Sequence, residues 1–176
     1  MTKTIAVLAL MLAPQAGIPK EPAKDLFMKS QNVPGVELRF VDYHWHPAMF
    51  DAIEKGANVP EAKRNWVIAR VILNDRPLSI GGTRLAVGNY ALALWPNLDG
   101  KGLAVEIRRV DMREVYPNLN AIAPAPRGET VYKANVAFDH VSPSAERMDM
   151  TLGDAAGKVP LTINWGDRRL VLTFER

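Results

Sequence analysis

One short run carries residue types and spacing suited to metal chemistry. In Asp42-Tyr43-His44-Trp45-His46 the polar side chains recur every second residue. On an extended strand Asp42, His44 and His46 would project from one face, and His-x-His on a strand can offer two imidazoles to one ion. His140 is the only other histidine. Were its strand a neighbour, three histidines, or two and a carboxylate, would suit a divalent transition metal. The competing reading is that the trio faces solvent while Val41, Tyr43 and Trp45 pack. A β-bulge at Phe40-Val41 would favour that reading, because it places Val36, Leu38, Phe40, Val41, Tyr43 and Trp45 on one face.

A second cluster, Arg108-Arg109-Val110-Asp111-Met112-Arg113-Glu114, sets three guanidiniums beside two carboxylates. Arg109 and Arg113 are its candidates for an anionic ligand; an ion-paired surface exit from a strand is the alternative. Other chemistry finds little support. Ser30, Ser79, Ser142 and Ser144 are the only serines, and none lies in a Gly-x-Ser-x-Gly elbow. There is no dinucleotide loop, Walker loop or EF-hand spacing. Of the four tryptophans, Trp66 and Trp165 fall on apolar faces, whereas Trp45 and Trp95 near strand ends could build a carbohydrate platform.

Composition narrows the classes further. The 176 residues suit one domain with a sizeable core. The 48% hydrophobic content excludes wholesale disorder. A formal net charge of +3, with basic residues scattered, gives nucleic-acid binding no electrostatic footprint. The absence of Cys removes disulfides, thiolate metal sites and a cysteine nucleophile.

The elements that must position these residues are mostly strands. Residues 1–17, with Lys3 and the apolar run Ile5 to Ala13, read as a signal peptide too short to span a bilayer. Residues 18–34 read as a linker, and 35–176 as the domain. Val36–His46 alternates like a strand, and Ala48–Lys55 suits a short helix closed by Gly56. Trp66–Leu73 is apolar on both faces apart from Arg70. Ile80–Pro96 reads as a short strand, a tight turn at Gly88 and a longer strand. In it, Leu85-Ala86-Val87-Gly88-Asn89-Tyr90 has the spacing of a tyrosine corner, in which Tyr90 would reach back and pin a Greek-key crossing.

Residues 97–102 form a hairpin loop, and Leu103, Val105 and Ile107 alternate with Ala104, Glu106 and Arg108. Asp111–Tyr116 would make one helical turn. Further strands run through Thr130–Phe138 and Met148–Leu152. The last hairpin turns at Gly166-Asp167, and Pro160 places its first strand at an edge or turns that position outward. This pattern predicts an all-β antiparallel sandwich of about eight strands with one short helix, a β-barrel being the alternative.

Gly82 to Pro96, Val105-Glu106-Ile107 and Leu161-Thr-Ile-Asn-Trp-Gly166 together resemble domain-of-unknown-function family 2911. That resemblance implies a secreted or periplasmic β-rich protein and brings no activity with it. The expected function is a non-catalytic binding or accessory module with a protein or glycan partner in the cell envelope. A metal-binding protein or enzyme built on Asp42, His44 and His46 is one alternative, and a carbohydrate or envelope-binding module is another.

Overall fold

A computed structural model describes residues 28–54, 66–96, 102–110 and 128–176. In chain order the elements are β1 (Met28–Val33), β2 (Val36–Val41), α1 (Pro47–Glu54), β3 (Trp66–Leu73), β4 (Leu78–Ile80), β5 (Thr83–Leu85) and β6 (Gly88–Pro96). They continue with β7 (Leu103–Val110), β8 (Gly128–Val136), β9 (Asp139–His140), β10 (Asp149–Leu152), β11 (Lys158–Trp165) and β12 (Arg168–Glu175). Two antiparallel sheets result, in the orders β1-β2-β3-β6-β7-β8 and β10-β11-β12-β4-β5, with β9 added to β12. They pack as a β-sandwich and do not close into a barrel. Among the described residues there are more strands than turn counting suggests, because β4, β5 and β9 have only two or three residues each.

Period-two alternation builds the core. In β11 the buried positions are Val159, Leu161, Ile163 and Trp165; in β12 they include Leu170, Leu172 and Phe174. These meet Leu38 and Phe40 of β2, Leu92 and Leu94 of β6, and Val105 and Ile107 of β7 in one apolar cluster between the sheets. The β4–β5 hairpin is an excursion: the chain leaves the six-stranded sheet after β3, adds two strands to the other sheet, and returns as β6 beside β3.

The return crossing is Ala86-Val87, and the Tyr90 hydroxyl donates to the Ala86 carbonyl at 2.6 Å. That bond ties the crossing to the strand it enters. Burial pushes the Tyr90 phenol above its ordinary value, the Arg109 guanidinium working against it. The donating, neutral form is the stabilising one, so its contribution is complete below about pH 10 and is lost as pH rises through the raised folded value. Tyr90→Phe should cost about 1 kcal/mol at pH 8. The gap between wild type and variant, read from urea midpoints, should narrow above pH 10; a gap independent of pH would show that the phenol proton is not what holds the crossing.

Several expectations are corrected. Met28–Val33, the end of the expected linker, is the edge strand β1, joined to β2 by a Pro34-Gly35 turn. Its mostly polar, exposed residues give no apolar periodicity to read. β2 ends at Val41 instead of His46. Its phase change comes from a tight turn in which the Tyr43 amide donates to the Val41 carbonyl at 3.0 Å, not from a bulge at Phe40-Val41. Val36, Leu38, Phe40, Tyr43 and Trp45 do reach the core cluster, while Val41 is buried outside it.

β11 is not an edge strand, since it lies between β10 and β12; the other expected arrangement holds, with Pro160 turned outward between buried Val159 and Leu161. Pro160 is tolerated because β10 stops pairing at Leu161, and the Pro160 carbonyl is used by the Gly153 amide at 2.8 Å. Residues 1–27, the hairpin loop at 97–101 and the helical turn expected at 111–116 lie outside the described residues.

Candidate functional site

The run from Asp42 to His46 serves as a backbone seam. The Met148 amide donates to the Tyr43 carbonyl at 2.7 Å, and the Trp45 amide to the Glu146 carbonyl at 2.9 Å. The His44 carbonyl accepts from the Trp165 indole at 3.0 Å. Asp42, 3% exposed, pairs with Arg147 at 3.3 Å. His46 is half-buried beside the start of α1. No group of three or more His, Asp or Glu side chains able to hold a metal ion occurs among the described residues. Asp42, His44 and His46 therefore do not form such a group, and the Asp42 carboxylate is paired with Arg147.

His140 belongs to a different constellation. Arg168, buried at the start of β12, donates to His140 Nδ1 at 2.7 Å, to Asp167 Oδ2 at 2.6 Å and to Asp51 Oδ1 at 3.1 Å. Asp167 Oδ2 also stands 3.2 Å from His140 Nδ1. His140 Nδ1 thus faces a guanidinium, which only donates, and a carboxylate oxygen, which only accepts, so its own role follows the tautomer of the ring. The Arg168 guanidinium also lies 5.9 Å from the centre of the Trp45 ring. Beneath it, Trp45, Phe50 and Trp165 pack with ring centres 5.0 to 6.4 Å apart. Gly166 lies directly against the Trp45 indole. This end of the sandwich is a packed joint between α1, β9 and the last hairpin.

The second concentration of charge is on the outer face of the six-stranded sheet. Register fixes the arrangement. Ala91 on β6 stands opposite Arg70 on β3 and opposite Arg108 on β7, and Arg70 in turn stands opposite Arg39 on β2. In the neighbouring row Ala93 faces Glu106, and Glu106 faces Lys133 on β8. Two residues further along β7, Ala104 extends the floor. Two guanidiniums thus flank an alanine floor, with one carboxylate beside it.

Glu106 is 3% exposed. Its Oε1 accepts from Arg108 Nε at 3.0 Å and from the Thr130 hydroxyl. Its Oε2 is buried and has no hydrogen-bond partner. Arg70, 7% exposed, donates to Asn89 Oδ1 at 3.2 Å. Arg39 pairs with Glu37 on the same strand.

Arg109, one of the two arginines expected to bind an anion, is exposed at the end of β7 beside Gly88 and Tyr90. Arg113 lies outside the described residues, as do the side chains of Trp66 and Trp95. Sequence reasoning noticed Arg70 as the one charge in an apolar strand and missed Glu106. The signal was present. Outward positions of β6 and β7 are held by Ala91, Ala93 and Ala104, where a solvent-facing sheet would carry polar residues.

Fold and site together define an antiparallel β-sandwich with a buried charged cluster on one outer face. Compared with family models, with curated proteins and with solved structures, the chain has no significant match. No helix among the described residues is long and apolar enough to cross a membrane.

Proposed function

We propose that the protein is a non-catalytic binding module of the cell envelope, and that its recognition face is the outer face of the six-stranded sheet. The observation that carries this reading is Glu106. A buried carboxylate oxygen without a partner costs stability, by about 1–3 kcal/mol. Folds retain such groups where function needs them. The site stands on paired strands of a rigid sheet, which suits recognition. A module translocated behind the leader read in residues 1–17 accords with this setting, as does the resemblance to domain-of-unknown-function family 2911. Binding is favoured over catalysis because His140, beside the Asp167 carboxylate, has its Nδ1 contacted by the Arg168 guanidinium.

The test is the stability of Glu106→Gln. Gln keeps the Oε1 acceptor for Arg108 and Thr130 and replaces the orphan charged oxygen with a neutral group. Gln also gives up the charge that pairs with Arg108 at 3.0 Å, so a purely structural Glu106 should lose about 3 kcal/mol, as for a broken buried ion pair. A urea-midpoint loss below about 1 kcal/mol supports the proposal; a loss near about 3 kcal/mol would make Glu106 a structural residue and remove its basis.

A further inference from the structure

We propose that His140 is a pH-operated latch: the neutral ring holds β9 on β12 through Arg168, and protonation releases it. The latch sits in the packed joint between α1, β9 and the last hairpin and does not involve the recognition face. β9 is a strand of two residues, and it meets β12 in the pairs His140 with Arg168 and Asp139 with Arg169. The Val141 amide adds a bond to the Asp167 carbonyl at 2.8 Å. With so few backbone bonds, one side-chain contact is a large share of what holds the strand. That contact is His140 Nδ1 against Arg168 Nη1 at 2.7 Å.

Its chemistry is conditional on protonation. A guanidinium keeps its charge and only donates, so Nδ1 can join it only through a lone pair. The neutral ring with its proton on Nε2 offers that lone pair. The protonated ring carries N–H at both nitrogens and brings a second positive charge against the first. Two donors cannot stay 2.7 Å apart, and the His140 side chain, 70% exposed, has room to turn outward. Arg168, 5% exposed beneath it, does not.

The neighbouring carboxylates do not cancel this effect. From the hairpin turn, Asp167 Oδ2 stands 3.2 Å from Nδ1, but it already accepts from Arg168 Nη1 at 2.6 Å. From α1, Asp51 bonds to Arg168 and not to the ring. Asp139 and Arg169 form the adjacent pair, which projects from the opposite face. The imidazolium would gain only a share of one part-exposed carboxylate oxygen, a weak pairing, and would lose its bond to a buried guanidinium. The contact is complete at high pH and lost as pH falls through the titration of the ring. Phe138, two residues before His140, packs on Phe50 with ring centres 5.4 Å apart, so release of β9 loosens one wall of the aromatic joint.

NMR of isotope-labelled full-length protein between about pH 5.5 and 8 tests the latch, since that window spans the ordinary imidazole titration and stays above the ordinary carboxylate one. At the alkaline end the side-chain nitrogen shifts of His140 should show a bare Nδ1 and a protonated Nε2. The amides of His140, Val141 and Arg168 should move with the same midpoint as the ring. Hydrogen exchange at the Val141 amide, corrected for its intrinsic rate, should be about fivefold less protected at the acid end, the equivalent of one hydrogen bond. His140→Asn puts an amide oxygen in place of Nδ1 and does not titrate. Its Val141 protection should stay constant across the window, although His44 and His46 remain in the chain. A proton on Nδ1 at the alkaline end, wild-type Val141 protection that is constant with pH, or an equal change in His140→Asn would each overturn the proposal.

Discussion

Gly166→Ala should destabilise the protein by about 3 kcal/mol, the largest loss expected from adding a single methyl group. Two costs combine. Gly166 has φ +64°, in the left-handed region, where a side chain costs about 1–2 kcal/mol. A Cβ there would also overlap the indole of Trp45. That ring cannot yield, because Phe50 and Trp165 pack against it and Arg168 covers it. Forcing a methyl into such a contact costs about 1–3 kcal/mol. Gly157→Ala provides the control. Its φ is +78°, yet nothing lies within 4 Å of its added Cβ. It should pay only the backbone cost, about 1–2 kcal/mol. Urea melts of the two variants give the difference directly, and equal losses would mean that the Trp45 contact is unimportant.

Arg147→Ala is the second large effect, with an expected loss of about 3 kcal/mol. Removing one member of a buried ion pair costs about 3–5 kcal/mol because the other charge stays in a poorly solvated place. Asp42 is in that position, and Arg147, with its side chain 31% exposed, places the effect at the lower end. The pair joins the segment after β2 to the segment before β10, so the variant should loosen the seam at Tyr43 to Trp45. A double-mutant cycle with Asp42→Asn measures the coupling. A coupling below about 0.5 kcal/mol would show that the pair contributes no more than separate sites do.

Much of the architecture was legible because it rests on local patterns. Alternation in β11 and β12 gave the inward residues and the Gly166-Asp167 turn. The Leu85–Tyr90 spacing pointed to the backward hydrogen bond from Tyr90. What was illegible depended on tertiary partners. β1 has a polar sequence and is held by pairing with β2, which no periodicity within β1 reveals. The turn centred on Asp42 takes that residue out of the strand alternation that would align it with His44 and His46. Glu106 was invisible for the opposite reason: its position in the alternation was read correctly, but alternation does not say that both faces of β7 are buried.

The β4–β5 excursion has a consequence for the order in which the chain can fold. Ser79 of β4 pairs with Glu175 of β12, so the first two strands of the second sheet must await the last one. Contacts so distant in sequence slow folding, since loop closure precedes the reward. Until β12 arrives, β4 exposes an open hydrogen-bonding edge, and Leu78 and Ile80 lack their apolar cover. A partly made chain therefore cannot complete its core. Closure is a single late event, and a chain kept unfolded until its last strand is present would avoid the exposed intermediate.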